Sequence, residues 1–477
     1  MKSKILIGVL LAVIVVLTVL LILSIFTLKP FRSGLKVLNI PGGSSIQYSP
    51  PPRPKMAFPT REQMVNLRTL YKKTIDKVTD GVYVANNYAF GNVVMVETSR
   101  GVVIVDTSEN AKSARKILEE FRKITDKPIK TIIYTHGHVD HVFGTSVFKE
   151  KGTQIISTRS TVDFLKREQG WMKPFLTRSR NIQSGKVEPE FALKIPFDPS
   201  FEGFEKETLI WPTVTFDGSY SFKQDDILFE LYETGGEAPG HLIIWMPEKK
   251  VLISGDLYYE SFPNLSTPML AARSAEDWIK GLEKILALGP DFLAPCHGLS
   301  LKGKEQIRTR LGNFKDATRY VFDSTIQAIN QGKSVEEAVR EIRLPEKFAR
   351  LPYLQEYYGR VDWAVRGIYH RYTGWYDGLG AGLNPLPAEY LPREVIRLSG
   401  GVDTILRRAV EAQKQGEHQL AVELADLVIK ANSHEKIARV LKASSLDYLG
   451  YQSGNINMFG FYRSAAALER KKAGYKP

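Results

Sequence analysis

The chain reads as a layered α/β body followed by an all-helical region, and three observations predict this. Short β-rich runs alternate with helix-compatible stretches up to about residue 297, the pattern of sheets covered by helices. Polar and ionisable residues recur just past the ends of those runs, at Asp106, His136 to His141, Glu237 to His241, Asp256 and His297. From about residue 315 onward the periodicity is helical. With 477 residues and 43% hydrophobic content, the chain can build packed cores and two or three domains.

In order, residues 1–28 come first. Ile5 to Leu28 is uncharged and about 24 residues long, or about 36 Å as a helix, against a bilayer core of about 30 Å. This predicts a single-pass transmembrane signal anchor, hence a membrane location. Lys2 and Lys4 on one flank and Lys29, Arg32 and Lys36 on the other leave its orientation unset. Residues 29–59, rich in Pro, Gly and Ser, read as a linker. Thr60-x-x-Gln63 resembles a capping box and predicts a helix to about Lys77. Val82–Ala85, Val93–Glu97 and Val102–Val105 are strand-like runs between Asn-Asn and Arg-Gly turns, and 110–124 reads as a helix.

Ile132-Ile133-Tyr134 then leads into Thr135-His136-Gly137-His138-Val139-Asp140-His141. Three imidazoles and a carboxylate within six residues are a means of holding a borderline cation. His136 and His138, two apart, can converge on one metal, while Asp140 and His141 suit a second ion beside it. The only cysteine is Cys296, so neither an internal disulfide nor a thiolate zinc site is available. Five of the eight histidines fall at the strand-end segments, which argues for one shared site.

Residues 160–215 hold many aromatics among basic side chains and are expected to form either a lid for an apolar substrate or ordinary packing. Strand-like Ile227–Tyr232 precedes Thr234-Gly235-Gly236-Glu237-Ala238-Pro239-Gly240-His241, and Val251-Leu252-Ile253-Ser254 delivers Gly255-Asp256. Ser334-x-x-Glu337 is another capping box, and 402–415, 419–431 and 434–449 are amphipathic runs that suit antiparallel helix pairs. The formal charge of +13 fits an anionic substrate or lipid. Basic residues are dispersed, so no nucleic-acid partner is expected.

His136-x-His138-x-Asp140-His141, Gly255-Asp256 and His297-Gly298 together resemble the metallo-β-lactamase fold superfamily. The resemblance implies a four-layer αββα sandwich over residues 60–314 with two divalent metal ions, usually Zn2+, at one edge. It implies His136 and His138 on the first ion, Asp140, His141 and His297 on the second, and Asp256 between them. The run Gly236-Glu237-Ala238-Pro239 is similar to the alkylsulfatase branch and puts Glu237 as the third ligand of the first ion, with His241 the alternative. Tyr372-Thr373-Gly374-Trp375-Tyr376-Asp377-Gly378, Asn384-Pro385-Leu386-Pro387, Gly400-Gly401-Val402 and Gly450-Tyr451-Gln452 extend that likeness, which implies an all-helical dimerisation domain over 315–477, a homodimer, and a body outside the cytoplasm.

The chain departs from the branch in several places. Asp256 stands where those sulfatases typically carry a glutamate. Asn264-Leu265 is kept, but Pro268-Met269-Leu270 replaces the run bearing a sulfate-gripping arginine, leaving Arg273 as the nearest guanidinium. Trp363 occupies the position of a proposed general-acid histidine, and Trp375 that of a tyrosine. The expected activity is hydrolysis of sulfate esters of apolar alcohols, amphiphilic and anionic, by a cation-activated hydroxide at Asp140 and Asp256. Asn264, Arg273 and Tyr376 are the expected substrate contacts. Arg366 is a further candidate for the anionic head, and His370, Tyr372 or Tyr376 for protonating the leaving group. Asp106 is expected to orient the histidine loop. The alternatives are another ester (lactone, thioester or phosphodiester) or a non-catalytic metal-binding dimeric scaffold.

Overall fold

The computed structural model describes residues 46, 48–51, 72–192 and 209–477. These fall into two compact units. Among the described residues, the larger takes in those between 72 and 388, 446–471 and 475–477, and the smaller takes in the rest.

The larger unit opens with β1 (Thr74–Thr79), β2 (Val82–Asn86), β3 (Val93–Glu97) and β4 (Val102–Val105). Then come α1 (Ala111–Arg122), β5 (Ile129–Ile133), the short helices α2 (Val139–Val142) and α3 (Thr145–Phe148), β6 (Gln154–Thr158), α4 (Arg159–Gln169), α5 (Lys173–Gln183) and β7 (Val214–Phe216). β1 to β7 lie side by side in chain order, antiparallel up to β4 and parallel from β4 to β7. The switch follows from the connections: tight turns reverse the first strands, whereas α1 and later helices carry the chain back for parallel pairing. β4 is buried at every position, as a strand covered on both faces must be.

The second sheet runs β8 (Ser219–Gln224), β9 (Ile227–Glu233), β10 (Leu242–Met246) and β11 (Val251–Gly255), then α6 (Ala275–Leu288), β12 (Phe292–Pro295) and β13 (Leu301–Lys302). β8 alternates exposed and half-buried residues, as an edge strand with one wet face does. Helices α7 (Lys304–Asn330), α8 (Val335–Glu341), α9 (Glu346–Ala349) and α10 (Val361–Thr373) follow.

Three cores make this a four-layer αββα sandwich. Val84, Val94, Val103, Ile133, Phe229, Ile244 and Ile253 fill the space between the sheets. Met95, Ile104 and Ile132 pack under Ala114, Ile117 and Phe121 of α1 and Val142 and Phe148 of the next helices. Ile243, Leu252 and Leu293 pack under Trp278 and Leu282 of α6, Leu311 and Phe314 of α7, and Val365 of α10. α1 buries Ala114, Ile117 and Phe121 at helical spacing and is capped by Asn110, whose side chain accepts from Ser113 N–H at 2.8 Å.

The smaller unit contains α11 (Tyr390–Leu398), α12 (Val402–Lys414), α13 (His418–Ala431) and the first part of α14 (Lys436–Gln452). Helix α15 (Ile456–Ala473) closes the chain. The amphipathic runs expected over 402–449 are thus helices, and Leu406, Ala409 and Ala425 are fully buried.

Two expectations are corrected. Thr74 to Lys77, placed in a helix by the capping-box reading, belong to β1, which pairs with β2 from Thr74↔Asn86 onward; inter-strand pairing overrides the local signal there. Residues 60–71 lie outside the described residues. The transmembrane anchor, with the membrane location and membrane partnership drawn from it, is the second. Among the described residues no helix is long and apolar enough to cross a membrane. The long helices are charged throughout: α7 carries Arg308, Arg310, Lys315, Asp316 and Arg319, and α15 carries Arg463, Glu469, Arg470 and Lys471. The stretch 1–28 itself lies outside the described residues.

Candidate metal centre

Parallel pairing brings the ends of β4 and β5 side by side, with Val105 opposite Ile133. The residue after β4, Asp106, turns in the left-handed region at φ 59° and is fully buried. Its carboxylate accepts from Thr135 N–H at 2.8 Å, Thr135 hydroxyl at 2.7 Å, His141 Nδ1 at 2.7 Å and the Cys296 thiol at 3.0 Å. Asp106 therefore gathers the loop after β5, the first turn of α2 and the turn after β12 onto one group.

The imidazoles are oriented by what holds their Nδ1 atoms. Thr135 donates its hydroxyl proton to Asp106, so its oxygen accepts from His136 Nδ1 at 3.0 Å. His141 Nδ1 donates to Asp106, and His297 Nδ1 to the Phe90 carbonyl at 3.1 Å. Each turns Nε2 inward, and these atoms converge on Asp256 Oδ2, with His297 at 3.2 Å, His141 at 3.4 Å and His136 at 3.7 Å. Asp140 Oδ2 lies 3.3 Å from both His141 and His297 Nε2. His138 Nδ1 lies 2.9 Å from His136 Nε2 and 3.5 Å from Glu237 Oε1.

Among the described residues three groups of potential ligands result, one of them Asp106, His141 and Cys296, whose members are already bonded to one another through Asp106. His136, His138, Glu237 and Asp256 place one donor atom each within 4.8 Å of one another, and so do Asp140, His141 and His297. Two atoms test whether cations fit. His141 Nε2 and Asp256 Oδ1 are buried yet have no hydrogen-bond partner among the described residues. A buried acceptor left bare costs about 1–3 kcal/mol, a cost that a bound cation would remove. Nitrogen and carboxylate donors of this kind suit zinc and its neighbours. Burial and the neighbouring His141 hold His136 well below the usual imidazole range. Burial drives Glu237 up to about 8 even though Arg273 pulls it down. Burial alone would lower His297, but Asp256 and Asp140 hold it at about 10. So tight a set of acids and imidazoles is neutralised by protons or by cations, and cations satisfy the bare atoms as well.

The alternative ligand His241 is accounted for differently. Its Nε2 accepts the Asp256 backbone N–H at 3.0 Å and its Nδ1 faces Thr234 Oγ1 at 3.0 Å. Both ring nitrogens are engaged, and burial keeps the ring neutral, down at about 3. His241 thus anchors the turn bearing Asp256. A Cβ on Gly255, at φ 54°, would come within 2.3 Å of that ring, which is why the position before Asp256 is glycine.

Arg273 lies in the site. One guanidinium nitrogen donates to Glu237 Oε2 and to the Asn264 carbonyl, both at 2.7 Å. The Asn264 side chain is buried with neither amide atom partnered among the described residues. We expect Arg273→Met to weaken zinc binding about 10–100-fold in chelator competition, the usual effect of removing a group that orients a ligand. Without the guanidinium, Glu237 releases its proton only at higher pH, so the loss is largest at neutral pH. Unchanged affinity across pH would refute this.

Other expected site residues sit elsewhere. Tyr376 is half-exposed and no contact joins it to the cluster among the described residues. Arg366 is paired with Glu336 at 2.6 Å and 2.8 Å, His370 Nδ1 faces the Gly374 carbonyl at 2.8 Å, and the Tyr372 hydroxyl donates to Glu276 at 2.6 Å. Of the aromatics in 160–215, Phe164 packs against His138, Trp171 is exposed, and Phe197, Phe201 and Phe204 lie outside the described residues.

Sequence reasoning missed Asn92, whose Nδ2 donates to the carbonyls of Pro295 and Gly298 at 3.2 and 2.8 Å and whose N–H donates to the Cys296 carbonyl at 2.7 Å. Asn92 clamps the turn that presents His297. It also missed Tyr259 and Tyr358, whose rings meet at 5.7 Å beside the cluster. No local motif marks any of the three.

Comparison with known proteins agrees with this fold. Residues 87–297 match the metallo-beta-lactamase superfamily, and residues 334–472 match the alkyl sulfatase dimerisation family. A linear primary-alkylsulfatase of a Pseudomonas species is 35% identical over 396 residues, 80% of this chain and 74% of that protein. An (R)-specific secondary-alkylsulfatase, also from Pseudomonas, is 28% identical over 79% of this chain and 59% of its own length. The solved structure of a stereoselective inverting sec-alkylsulfatase from Pseudomonas superposes with a TM-score of 0.75 at 26% identity, covering 83% of this chain and 66% of that one. The chain thus spans just under two thirds of that solved relative. With the sandwich, the strand-end ligand groups and a relative matched along most of its length, the chain belongs to the alkylsulfatase family of metallo-β-lactamase-fold, metal-dependent hydrolases.

Proposed function

We propose that this protein hydrolyses sulfate monoesters of apolar alcohols at a centre of two divalent cations, zinc being the metal the donors suit best. The single observation that carries the reading is the convergence of both ligand groups on Asp256, with His141 Nε2 and Asp256 Oδ1 left bare. His136, His138 and Glu237 would hold one cation and Asp140, His141 and His297 the other, with Asp256 shared. Cations so placed supply a nucleophilic water at neutral pH and polarise the ester. The protein's own groups do the rest. Asp106 and Asn92 keep the imidazoles aimed. Arg273 pulls Glu237 toward its ionised form against burial. The buried, unpartnered Asn264 amide offers donors to an anionic oxygen.

The family's dimerisation match extends the proposal to a homodimer. Trp375, Leu379, Leu383 and Leu386 are exposed apolar side chains that a second copy would cover.

The test combines metal analysis, light scattering and a substrate panel on one preparation. We expect two equivalents of divalent metal per chain and a particle of about twice 53.8 kDa. Dodecyl sulfate should turn over in preference to a lactone, a thioester and bis-nitrophenyl phosphate. Fewer than one equivalent of metal, or preference for another ester, would reject the sulfatase reading.

A further inference from the structure

The four candidate ligand imidazoles are not held alike. His136, His141 and His297 turn Nε2 inward, and their Nδ1 atoms are held by Thr135, Asp106 and the Phe90 carbonyl. His138 is turned the other way. Its Nδ1 faces inward, 2.9 Å from His136 Nε2 and 3.5 Å from Glu237 Oε1. Its outer nitrogen, Nε2, has no hydrogen-bond partner among the described residues, and it is the most exposed of the four rings, at 27%. A ligating histidine almost always donates its other ring N–H to a fixed partner, which sets the orientation of the ring. His138 lacks that partner, and packing aims its ring instead.

The packing comes from α4. Its first turn is fastened to the turn that carries Glu237: the hydroxyls of the N-cap Thr158 and of Thr161 donate to the Gly240 carbonyl at 2.8 and 3.0 Å. Gly240, at φ 77°, lies so close that a Cβ there would come within 2.3 Å of Thr161 N. One turn further along, Phe164 and Leu165 press on the histidine loop. A Cβ on Gly137 would come within 2.7 Å of Phe164 Cδ1 and 3.1 Å of Leu165 Cγ. The Phe164 ring stands edge-on to His138, with 5.7 Å between centroids and 67° between planes, a favourable geometry for an aromatic pair. Phe164 is itself buried, and the Arg167 guanidinium lies 5.0 Å from the centre of its ring. One helix thus bears on His138 and on the Glu237 turn, both in the first ligand group. Asp106 and Asn92 serve His141 and the His297 turn in the second.

We propose that Phe164 is a positioning residue of the first cation site, its ring edge fixing His138 as hydrogen bonds fix the other three imidazoles. It acts through His138 and touches no reacting atom. The inference rests on reading the cluster as a metal centre, and not on which ester is cleaved. Without the ring, His138 can rotate about its Cβ–Cγ bond and take Nδ1 out of the first group, while the second group keeps its own anchors.

The test uses the purified full chain and two readouts that need no turnover. The first is zinc affinity by chelator competition, with the step that depends on the first group identified by its loss in His138→Ala. Phe164→Ala should weaken that step about 10–100-fold and leave the other within about twofold. The second is the imidazole region of the NMR spectrum of metal-free protein carrying nitrogen-15 histidine. The His138 signals, identified by their absence in His138→Ala, should shift and broaden in Phe164→Ala, while those of His141 and His297 stay in place. Phe164→Leu, which keeps the bulk without the ring edge, should show the same selective loss to a smaller extent, and it carries the test if the alanine variant does not fold. Equal weakening of both steps, or of neither, overturns the assignment. If the wild type binds no zinc, the metal-centre reading fails and the spectrum decides alone: unchanged His138 signals reject the positioning role, and a selective change upholds it.

Discussion

Asp256→Asn should reduce kcat/KM on an alkyl sulfate on the order of 10³-fold, a loss of about 4 kcal/mol of transition-state stabilisation. The substitution keeps shape and volume and removes one charge. That charge matters because Oδ2 is the point on which His136, His141 and His297 converge within 3.2–3.7 Å. Oδ1 has no hydrogen-bond partner among the described residues. A neutral amide would present an N–H₂ group to the two proposed cations and could not be shared between them. Metal content should therefore fall to one equivalent or less, while the circular dichroism spectrum stays as in the wild type. The backbone N–H of residue 256 still bonds to His241, so the turn keeps its shape. A variant that retains both metals and its rate would rule out a bridging role for Asp256.

Asp106→Asn should lower metal affinity about 10–100-fold without altering any ligand. The carboxylate accepts from four donors, and an amide has one oxygen to offer them. Its NH₂ must then face a donor, either His141 Nδ1–H or the Cys296 thiol. Hydrogen bonds to a charged partner are worth about 1.5–3 kcal/mol each, so the metal-free protein should also be less stable by about 2–3 kcal/mol. Asparagine rather than alanine is the right probe, because residue 106 sits at φ 59°, which asparagine tolerates and alanine does not. Chelator competition and thermal unfolding of the metal-free protein measure the two effects. Unchanged affinity would mean that the imidazoles need no such anchor.

Much of the fold was legible because the strands are nearly continuous apolar runs. Val102–Val105 and Val251–Ser254 are buried along their whole length, and their β-branched residues announce it. The helices from Val402 to Lys414 and His418 to Ala431 were legible for the parallel reason, an apolar stripe at helical spacing. β1 was not legible. Its residues are half-buried, charged and alternating only in part, and their strand state comes from pairing with β2. The N-terminal apolar stretch shows the converse limit: hydropathy reads length and polarity, and no described helix supplies a span.

The amino-acid sequence alone determined which donor types stand at which strand ends, since His136, His138, Asp140 and His141 are neighbours in the chain and strand-to-helix punctuation fixes where they fall. Tertiary structure decided everything that depends on residues far apart in sequence. It turned His241 inward to hold the Asp256 N–H, paired Arg273 with Glu237 instead of leaving it open, set Asn92 against the His297 turn, left Tyr376 exposed, and brought Tyr358 from beyond residue 350 against Tyr259. The reason is physical: local residue patterns set backbone state and composition, whereas the partner of a buried polar group is chosen by packing, which brings together segments that no spacing rule relates.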